Sequence, residues 1–507
     1  MAHLRGLLSF CILVLLVVQP HQAYGSGRGS FPRTRTDPMM SQANGICASS
    51  VIVHGYKCQE IYVTTKDGYI LNMQRIPEGR IASGNMTKKQ PVLIQHGVLV
   101  HFSGSITLLS HVRDYEEEEK EEVNCNLSVK PDKLARSQGK HLVTLVLVPC
   151  SLLVGILSRI RKGQNLIKCA SVFFVRLLKW RVERFHLLLV QDGMTWLLNP
   201  PEQNLPLILA DNGFDVWIAN SRGTRFSRRH TSLDAAQSEY WNWSWDELVA
   251  YDMPTFFDYV HSQTGQKVNY VGHSQGTLIA LASFSEGLQV DKLKSAALLS
   301  PIAYLSHMST VLGVLAAKAF VGEFFPQITT IVLGLAEFNP KDQHVENFLK
   351  SLCANPGVDC YDLLSSLTGK NCCLNASTVD LFLKNGPQST STRNMIHLSQ
   401  TVRDKVIAKF NYGRPDYNLM HYGAIIPPVY NISNIPHDLP IFVSYGGNDA
   451  LSDVKDVQDL LDSFKFHDVD KLGVQFIKNY AHADFIMGIN AKDIVYNQVL
   501  SFFKRQQ

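Results

Sequence analysis

The most regular feature of the chain is an alternation of short apolar runs with longer amphipathic stretches. Near-continuous apolar runs of this length are typical of parallel strands covered on both faces. They read PVLIQHGV (91–98), FDVWIAN (214–220), VNYVGHS (268–274), LKSAALLSP (293–301), LPIFVSYG (439–446) and GVQFIKNY (473–480). Helix start and stop signals mark the intervening segments, such as the acidic first turn and the Gly stop of residues 244–265. The alternation predicts an α/β fold with a mostly parallel central sheet.

Two interruptions divide this pattern. After Val100 the alternation stops, and residues 101–191 resemble nothing on either side of them. Between 304 and 430 it lapses again, in a stretch that holds long apolar pieces and four cysteines. Several apolar pieces outside the strand pattern favour a helical cap or lid over the active edge of the sheet. The predicted core therefore consists of residues 47–100, 192–303 and 431–507.

The first 25 residues carry the three parts of a secretory signal peptide. Arg5 supplies positive charge, LLSFCILVLLVV (7–18) is the apolar stretch, and AYG (23–25) offers small residues for cleavage. The apolar stretch is too short for a comfortable membrane span. Residues 26–46, rich in Gly, Ser, Arg and Pro, predict a flexible start to the mature chain.

Composition places the chain among globular proteins. Of its 507 residues, 45% are hydrophobic and 18% are charged, and the formal net charge is +4. So small a charge gives no reason to expect nucleic acid as a partner.

Cysteines and glycosylation sequons agree with secretion. Outside the signal peptide and residues 101–191, six cysteines remain, which permit three disulfides in any of fifteen pairings. They are Cys47, Cys58, Cys353, Cys360, Cys372 and Cys373. No histidine lies among the last four, so pairing among themselves is favoured over metal binding. N-x-[ST] sequons stand at Asn85, Asn242, Asn375 and Asn431.

The segment GHSQG (272–276) matches the G-x-S-x-G pattern of a nucleophile elbow. The pattern is short, but here it follows an apolar strand and opens a helix, which is the context that the elbow requires. Gly272 and Gly276 let the strand and the helix approach closely, and the helix N-terminus places a positive dipole where an oxyanion forms. Ser274 is therefore the predicted nucleophile. The alternative is a structural serine in an ordinary strand-turn-helix.

A serine nucleophile needs a base, and the base needs an orienting acid; in this fold both follow the serine in the chain. Asp449 comes first after an apolar strand and a glycine turn, whereas Asp453 suits a helix N-cap. His482 is the only histidine after the last strand. We predict Asp449 as the acid and His482 as the base, and we expect His96 and His273 to hold loops by hydrogen bonds.

An oxyanion hole needs two backbone N–H donors. Gln275, directly after the nucleophile, supplies one, and the loop after LIQHG supplies the other, best placed at Val98. Removing one such donor typically costs about 10²–10³ in rate. This chemistry implies no metal and no organic cofactor.

With these residues assigned, the chain resembles the acid lipases, the family of gastric and lysosomal lipases, and most of all their plant triacylglycerol lipase members. The matching pieces, which cover most of 44–507 apart from the interruption at 101–191, are QHGV, LADNGFDVWIANSRGTRFSRRH, YVGHSQGT, GGNDALSD and HADF. The resemblance implies an α/β-hydrolase with a cap and lid that cleaves lipid esters at a lipid–water interface, without a cofactor. By motif it implies a triad of Ser274, Asp449 and His482, with Val98 and Gln275 as the oxyanion hole.

Residues 101–191 are the departure from this family, and three interpretations are open. A transmembrane insertion is opposed by topology, because a single span would leave Val100 and Gly193 on opposite sides of a membrane. A giant lid is opposed by the acidic run EEEEKEE (116–122) and by three cysteines, an odd number. We favour a retained intron translated in frame, since FHLLLVQ (185–191) is what pyrimidine-rich codons and a CAG acceptor would encode.

The sequence thus predicts a secreted, glycosylated serine hydrolase of lipid esters without an integral membrane span, located outside the cell or in a vacuole or lysosome. A carboxylesterase of small soluble esters is a second hypothesis, although its cap should be less apolar than VLGVLAAKAFVGEFF (311–325). A catalytically impaired lipid-binding protein is the third hypothesis, because the insertion interrupts the loop that must supply the second oxyanion donor.

Overall fold

The structure, a computed structural model, describes residues 45–81, 88–99, 189–308, 336–338, 365, 368–385 and 388–506. Several predicted features lie outside the described residues. They are the signal peptide, nearly all of the flexible start, Asn85, residues 101–188 of the insertion, and much of the predicted cap, including Cys353 and Cys360.

The described residues form a nine-stranded mixed sheet and two short two-stranded ladders. In chain order the strands are β1 (Gln59–Thr64), β2 (Tyr69–Ile76), β3 (Pro91–Gln95), β4 (Val98–Leu99), β5 (Leu189–Val190), β6 (Asp215–Ala219), β7 (Arg229–His230), β8 (Val268–Ser274), β9 (Leu293–Pro301), β10 (Glu337–Phe338), β11 (Thr390–Ser391), β12 (Ile441–Gly446) and β13 (Leu472–Ile477). The two ladders are β4 with β5 and β10 with β11.

The large sheet runs in the order β1-β2-β6-β3-β8-β9-β12-β13, and β7 pairs with β2 beside this path. The β1–β2 hairpin and the β2–β6 pair are antiparallel. From β6 to β13 every neighbouring pair is parallel. This confirms the predicted α/β fold with a mostly parallel central sheet. Because parallel strands point the same way, the residues that end β3, β8, β9, β12 and β13 collect at one edge.

Helices fill the connections between the strands. The α-helices are α1 (Leu205–Asp211), α2 (Trp245–Glu247), α3 (Met253–Thr264), α4 (Gln275–Ser285), α5 (Ala376–Asn385), α6 (Thr392–Asp404), α7 (Pro415–Tyr422), α8 (Val454–Ser463), α9 (Asp484–Met487) and α10 (Asn497–Arg505). Single π-helical turns occupy Cys47–Val51, Leu248–Asp252 and Lys492–Tyr496, and 3₁₀ turns occupy Ile52–His54, Gly193–Leu197, Pro201–Gln203, Ser238–Trp241 and Ile432–Asn434. No helix among the described residues is long and apolar enough to cross a membrane.

Alternate residues of the central strands enter two apolar layers, one on each face of the sheet. In β6, Trp217 belongs to one buried cluster and Val216 to the other; in β3, Leu93 and Val92 divide in the same way. This period of two explains why the strands read as continuous apolar runs in the sequence. Full burial of each such side chain stabilises the fold by roughly 1.5–3 kcal/mol.

The chain returns to this core within the last three residues of the predicted insertion, beside the point where it left. β4 and β5 pair antiparallel, with Val98 opposite Val190 and Leu99 opposite Leu189. The Gly97 N–H donates a hydrogen bond to Gln191 Oε1 at 3.0 Å. We call the β4–β5 ladder the neck. Residues 97–99, just before the predicted insertion, and residues 189–191, its last three, are therefore held together at the neck, directly after β3.

Two disulfides lie among the described residues. One joins Cys47 to Cys58 and ties the first described turn to the start of β1. The other joins the adjacent residues Cys372 and Cys373. Of the six cysteines considered in the sequence, these four are therefore bonded.

Candidate active site

Ser274 ends β8 and precedes α4, with φ 55° and ψ −124°. A residue other than glycine at positive φ is strained, and such strain concentrates at functional sites. A Cβ added at Gly276 would lie 2.8 Å from the Gln95 carbonyl oxygen, and one added at Gly272 would lie 3.0 Å from the Gly276 backbone. The turn therefore requires glycine at both positions, and it presents the buried Ser274 at the carboxyl edge of the sheet.

His482 and Asp449 meet at the same edge, from the loops that follow β13 and β12. His482 Nδ1 lies 3.1 Å from each carboxylate oxygen of Asp449, and both side chains are buried. Asp449 Oδ1 also accepts the backbone N–H groups of Leu451 (3.0 Å) and Ser452 (2.8 Å). Because an ionised carboxylate only accepts hydrogen bonds, the pairing assigns the imidazole proton to Nδ1 and leaves the Nε2 lone pair free to act as a base.

Asp453 has a different place. It is the N-cap of α8, and its side chain accepts the Lys455 N–H at 2.8 Å. Of the two aspartates in GGNDALSD, only Asp449 contacts a histidine among the described contacts.

Exchanging the two aspartates for asparagine should therefore have unequal effects. Asp449→Asn replaces a charged partner of the imidazolium by a neutral one, and kcat is expected to fall by about 10². Asp453→Asn should leave turnover close to that of the unmodified protein, because asparagine caps a helix about as well as aspartate. Both purified variants are measured on the same ester. A larger loss from Asp453→Asn would reverse the assignment.

A short segment of the predicted cap, residues 368–374, holds both loops of this pair. The Thr368 carbonyl oxygen accepts the backbone N–H of His482 at 3.1 Å and that of Ala450, next to Asp449, at 3.3 Å. The sequence analysis assigned Thr368 no role. No motif marks this segment, and it lies more than a hundred residues before His482, beyond the reach of any local pattern.

Asp484 reinforces the same contact from the histidine side. Its carboxylate accepts the backbone N–H groups of Cys372 (3.1 Å), Cys373 (3.0 Å) and Ala481 (2.8 Å). Burial raises the pKa of Asp484 to about 6. Asp484 is the aspartate of the matched piece HADF, and this place in a family motif was the sequence signal that could have revealed its supporting role. The carboxylate fixes the turn that carries His482.

Two further histidines hold the loops around the site, as their positions beside the motifs suggested. His273 Nε2 lies 3.0 Å from the His482 carbonyl oxygen, and His96 Nε2 accepts the Ser221 N–H at 3.1 Å. Burial lowers the pKa of both imidazoles. Both rings therefore stay neutral near pH 7 and serve as fixed hydrogen-bonding groups.

The expected oxyanion side is built from Gln275 and the loop after β3. Gln275 opens α4, where the first N–H groups have no acceptor within the helix, and its side chain donates to Asn394 Oδ1 of α6 at 3.0 Å. The Ser274 hydroxyl donates to the Val98 carbonyl oxygen at 3.3 Å. His482 Nε2 is buried and has no hydrogen-bond partner among the described residues. In this conformation the Ser274 hydroxyl is therefore paired with the loop and not with His482, its predicted base.

Three of the four predicted glycosylation sites lie among the described residues. Asn242, Asn375 and Asn431 are all exposed, and the Asn431 Nδ2 donates a hydrogen bond to Asn434 Oδ1 at 3.2 Å. Asn242 Oδ1 accepts a hydrogen bond from Arg393 at 2.8 Å, which leaves its Nδ2 free.

Comparison with known protein families identifies the class of protein. A family model described as the alpha/beta hydrolase fold matches residues 196–487, and one described as a partial alpha/beta-hydrolase lipase region matches residues 47–105. The chain belongs to the α/β-hydrolase lipase family and is an ester hydrolase. The lipase-region match ends at residue 105 and the hydrolase-fold match begins at residue 196, so neither contains the middle of the predicted insertion.

Individual relatives agree with this assignment. The chain is 52% identical to Triacylglycerol lipase 2 of Arabidopsis thaliana, over 94% of this chain and 92% of that protein. It is 28% identical to Gastric triacylglycerol lipase of Rattus norvegicus, over 96% and 98%. It is 34% identical to the human Lysosomal acid lipase/cholesteryl ester hydrolase, over 63% and 78%. The predicted resemblance to acid lipases, and to their plant members, is confirmed.

Proposed function

We propose that this protein is a secreted serine hydrolase that cleaves lipid esters of the triacylglycerol type through an acyl-enzyme. The observation that carries the proposal is the buried Asp449–His482 pair at the sheet edge where the strained Ser274 ends its strand. The names of similar proteins, which are triacylglycerol and acid lipases, support the substrate class. No metal or cofactor enters the proposed chemistry.

In the proposed reaction, Ser274 Oγ attacks the ester carbonyl carbon while its proton passes to His482 Nε2. Asp449 holds the Nδ1 proton and stabilises the imidazolium. The developing oxyanion is bound by the N–H groups of Gln275 and Val98. His482 then protonates the leaving alcohol, and water attacks the acyl-enzyme by the same route to release the fatty acid and restore Ser274.

One observation favours a second candidate function, a lipid-binding protein with impaired catalysis. The Ser274 hydroxyl donates its hydrogen bond to the Val98 carbonyl oxygen, and His482 Nε2 has no hydrogen-bond partner among the described residues. Attack requires the hydroxyl to turn from Val98 to His482. A chain that could not make this turn would bind lipid esters without cleaving them.

An assay with two substrates and one covalent probe separates the candidates. The secreted full chain is expected to hydrolyse an emulsified long-chain triacylglycerol and to be labelled at Ser274 by a fluorophosphonate. Labelling with turnover confined to a short soluble ester would identify a carboxylesterase. Absence of both labelling and turnover, in a chain that still binds lipid, would identify the impaired protein and overturn the proposal.

Entry into the secretory pathway, with residence outside the cell or in a vacuole or lysosome, is part of the proposal. It is supported by the apolar N-terminus and by the Cys47–Cys58 disulfide, which needs an oxidising compartment. We further propose that residues 304–430 form the cap that receives the acyl chains, and that the protein meets its substrate peripherally at the lipid–water interface. Glycans at Asn242, Asn375 and Asn431 would stand on exposed surface.

A further inference from the structure

Ser300 lies at the end of β9, the strand between the nucleophile strand β8 and the acid strand β12. Its side chain is fully buried, and its φ of 50° is in the left-handed region. Strained backbone of this kind persists only where the surroundings over-determine it, and a buried hydroxyl costs free energy unless it is hydrogen-bonded. No motif in the sequence pointed to Ser300.

The Ser300 hydroxyl contacts both members of the acid–base pair. It donates a hydrogen bond to Asp449 Oδ2, and its oxygen lies 2.7 Å from His482 Nδ1. The two direct contacts between Nδ1 and the Asp449 oxygens are longer, at 3.1 Å each. Ser300 is therefore the nearest hydrogen-bonding partner of the imidazole Nδ1.

The chemistry of the three groups allows only one arrangement of protons. The Asp449 carboxylate, when ionised, can only accept, so the single Ser300 hydroxyl proton is committed to it. The Ser300 oxygen can then only accept, and the proton between it and His482 must belong to Nδ1. Nε2 is thereby left with its lone pair, the form in which it can take a proton from Ser274.

We propose that Ser300 is a positioning residue of the triad, whose hydroxyl bridges Asp449 and His482 and so fixes both the tautomer and the angle of the imidazole ring. The inference rests on the proposed Ser274–His482–Asp449 mechanism and extends it to a fourth side chain. During attack the Ser274 proton moves to His482 Nε2, while the Nδ1 and Ser300 protons stay where they are. Ser300 forms no bond to the substrate.

Three variants separate the hydroxyl from the backbone at this position. Ser300→Ala removes the hydroxyl and keeps the strained φ, whereas Ser300→Gly removes the hydroxyl and relaxes it. Ser295→Ala is the matched control, because Ser295 is buried on the same strand, makes one side-chain hydrogen bond (2.7 Å, to Asn269), and lies roughly 17 Å from Ser300 along the strand.

Two readouts are expected to respond in the full chain. Ser300→Ala and Ser300→Gly should both lower kcat about tenfold with KM unchanged, the loss expected from one hydrogen bond to a charged network. Both should also shift the downfield proton resonance of the His482 Nδ1–H, which reports the bond directly and does not depend on turnover. Ser295→Ala should change neither quantity.

An unchanged Nδ1–H resonance in Ser300→Ala would overturn the inference, as would full kcat in Ser300→Gly, because that variant also lacks the hydroxyl. Failure of the proposed function looks different. In that case a fluorophosphonate labels neither the unmodified chain nor the Ser300 variants, and Ser274→Ala loses nothing. The resonance then still decides whether Ser300 bridges Asp449 and His482.

Discussion

Ser274→Ala is expected to lower the turnover of a long-chain ester by roughly 10⁴–10⁶ and to leave the fold intact. The loss is large because the acyl-enzyme cannot form, so only binding and the oxyanion donors remain to accelerate the reaction. The fold should persist because the Ser274 hydroxyl makes a single described hydrogen bond, to the Val98 carbonyl. Alanine also tolerates the positive φ no worse than serine does.

Ser285→Ala is the control for this variant. Ser285 lies at the other end of α4 and is buried, and its hydroxyl bonds only within the helix, to the Ala282 carbonyl at 2.9 Å. It should retain both turnover and fluorophosphonate labelling. If purified Ser274→Ala hydrolysed the long-chain ester at the rate of the unmodified chain, Ser274 would not be the nucleophile.

The sheet, and the meeting of Asp449 with His482 at its edge, could be predicted because the signals are local. A strand buried on both faces must be apolar throughout, which made β3, β6, β8 and β12 visible without any knowledge of their neighbours. The elbow needs glycine at fixed spacing around Ser274, and fold order alone then pointed to Asp449 and His482.

The supporting groups were not predictable because their partners are distant in the chain. Thr368 meets His482 through a backbone carbonyl, which any residue type could supply. Nothing in the local sequence distinguishes Ser300 from other serines. Its position beside the site follows from the strand order, which places β9 between β8 and β12. The Ser274 hydroxyl bonds to the Val98 carbonyl because of the way that peptide group is oriented. The identity of the residue does not determine that orientation.

Deleting residues 101–191 is expected to raise the specific activity of the secreted protein by about 10²–10³, the value of one oxyanion donor. The loop that carries Val98 is anchored on one side by β3, and on the other only by the neck, that is, by residues 189–191 of the insertion. In the full chain this loop turns the Val98 carbonyl toward Ser274, where catalysis requires an N–H. An error of about an ångström at such a donor can cost orders of magnitude in rate.

The neck indicates that the shortened chain can close. Gly97 bonds to Gln191, so Gly97 and Asp192 stand on adjacent chain segments, and Asp192 is held in the core by a 2.8 Å ion pair with Arg225. After the deletion only residues 98–100 remain between Gly97 and Asp192, the length of a tight hairpin connection. Closing a loop of some ninety residues costs only a few kcal/mol. The full chain can therefore also fold, and the main effect of the deletion should be on catalysis.

The measurement compares the full chain with two shortened forms, expressed with the same signal peptide and assayed on a triacylglycerol and a short ester. One form lacks residues 101–191, and the other keeps the neck by replacing residues 100–188 with Asn-Gly, a two-residue hairpin turn. We also expect the shortened forms to be secreted in higher yield. The segment that they lack carries three cysteines, an odd number, and an apolar run, and both features promote aggregation during secretion. If only the neck-retaining form were active, Gln191, through its hydrogen bond to Gly97, would be required to hold the loop that carries Val98. If both shortened forms misfold or are inactive while the full chain turns over, the segment is a genuine lid and the intron interpretation is wrong.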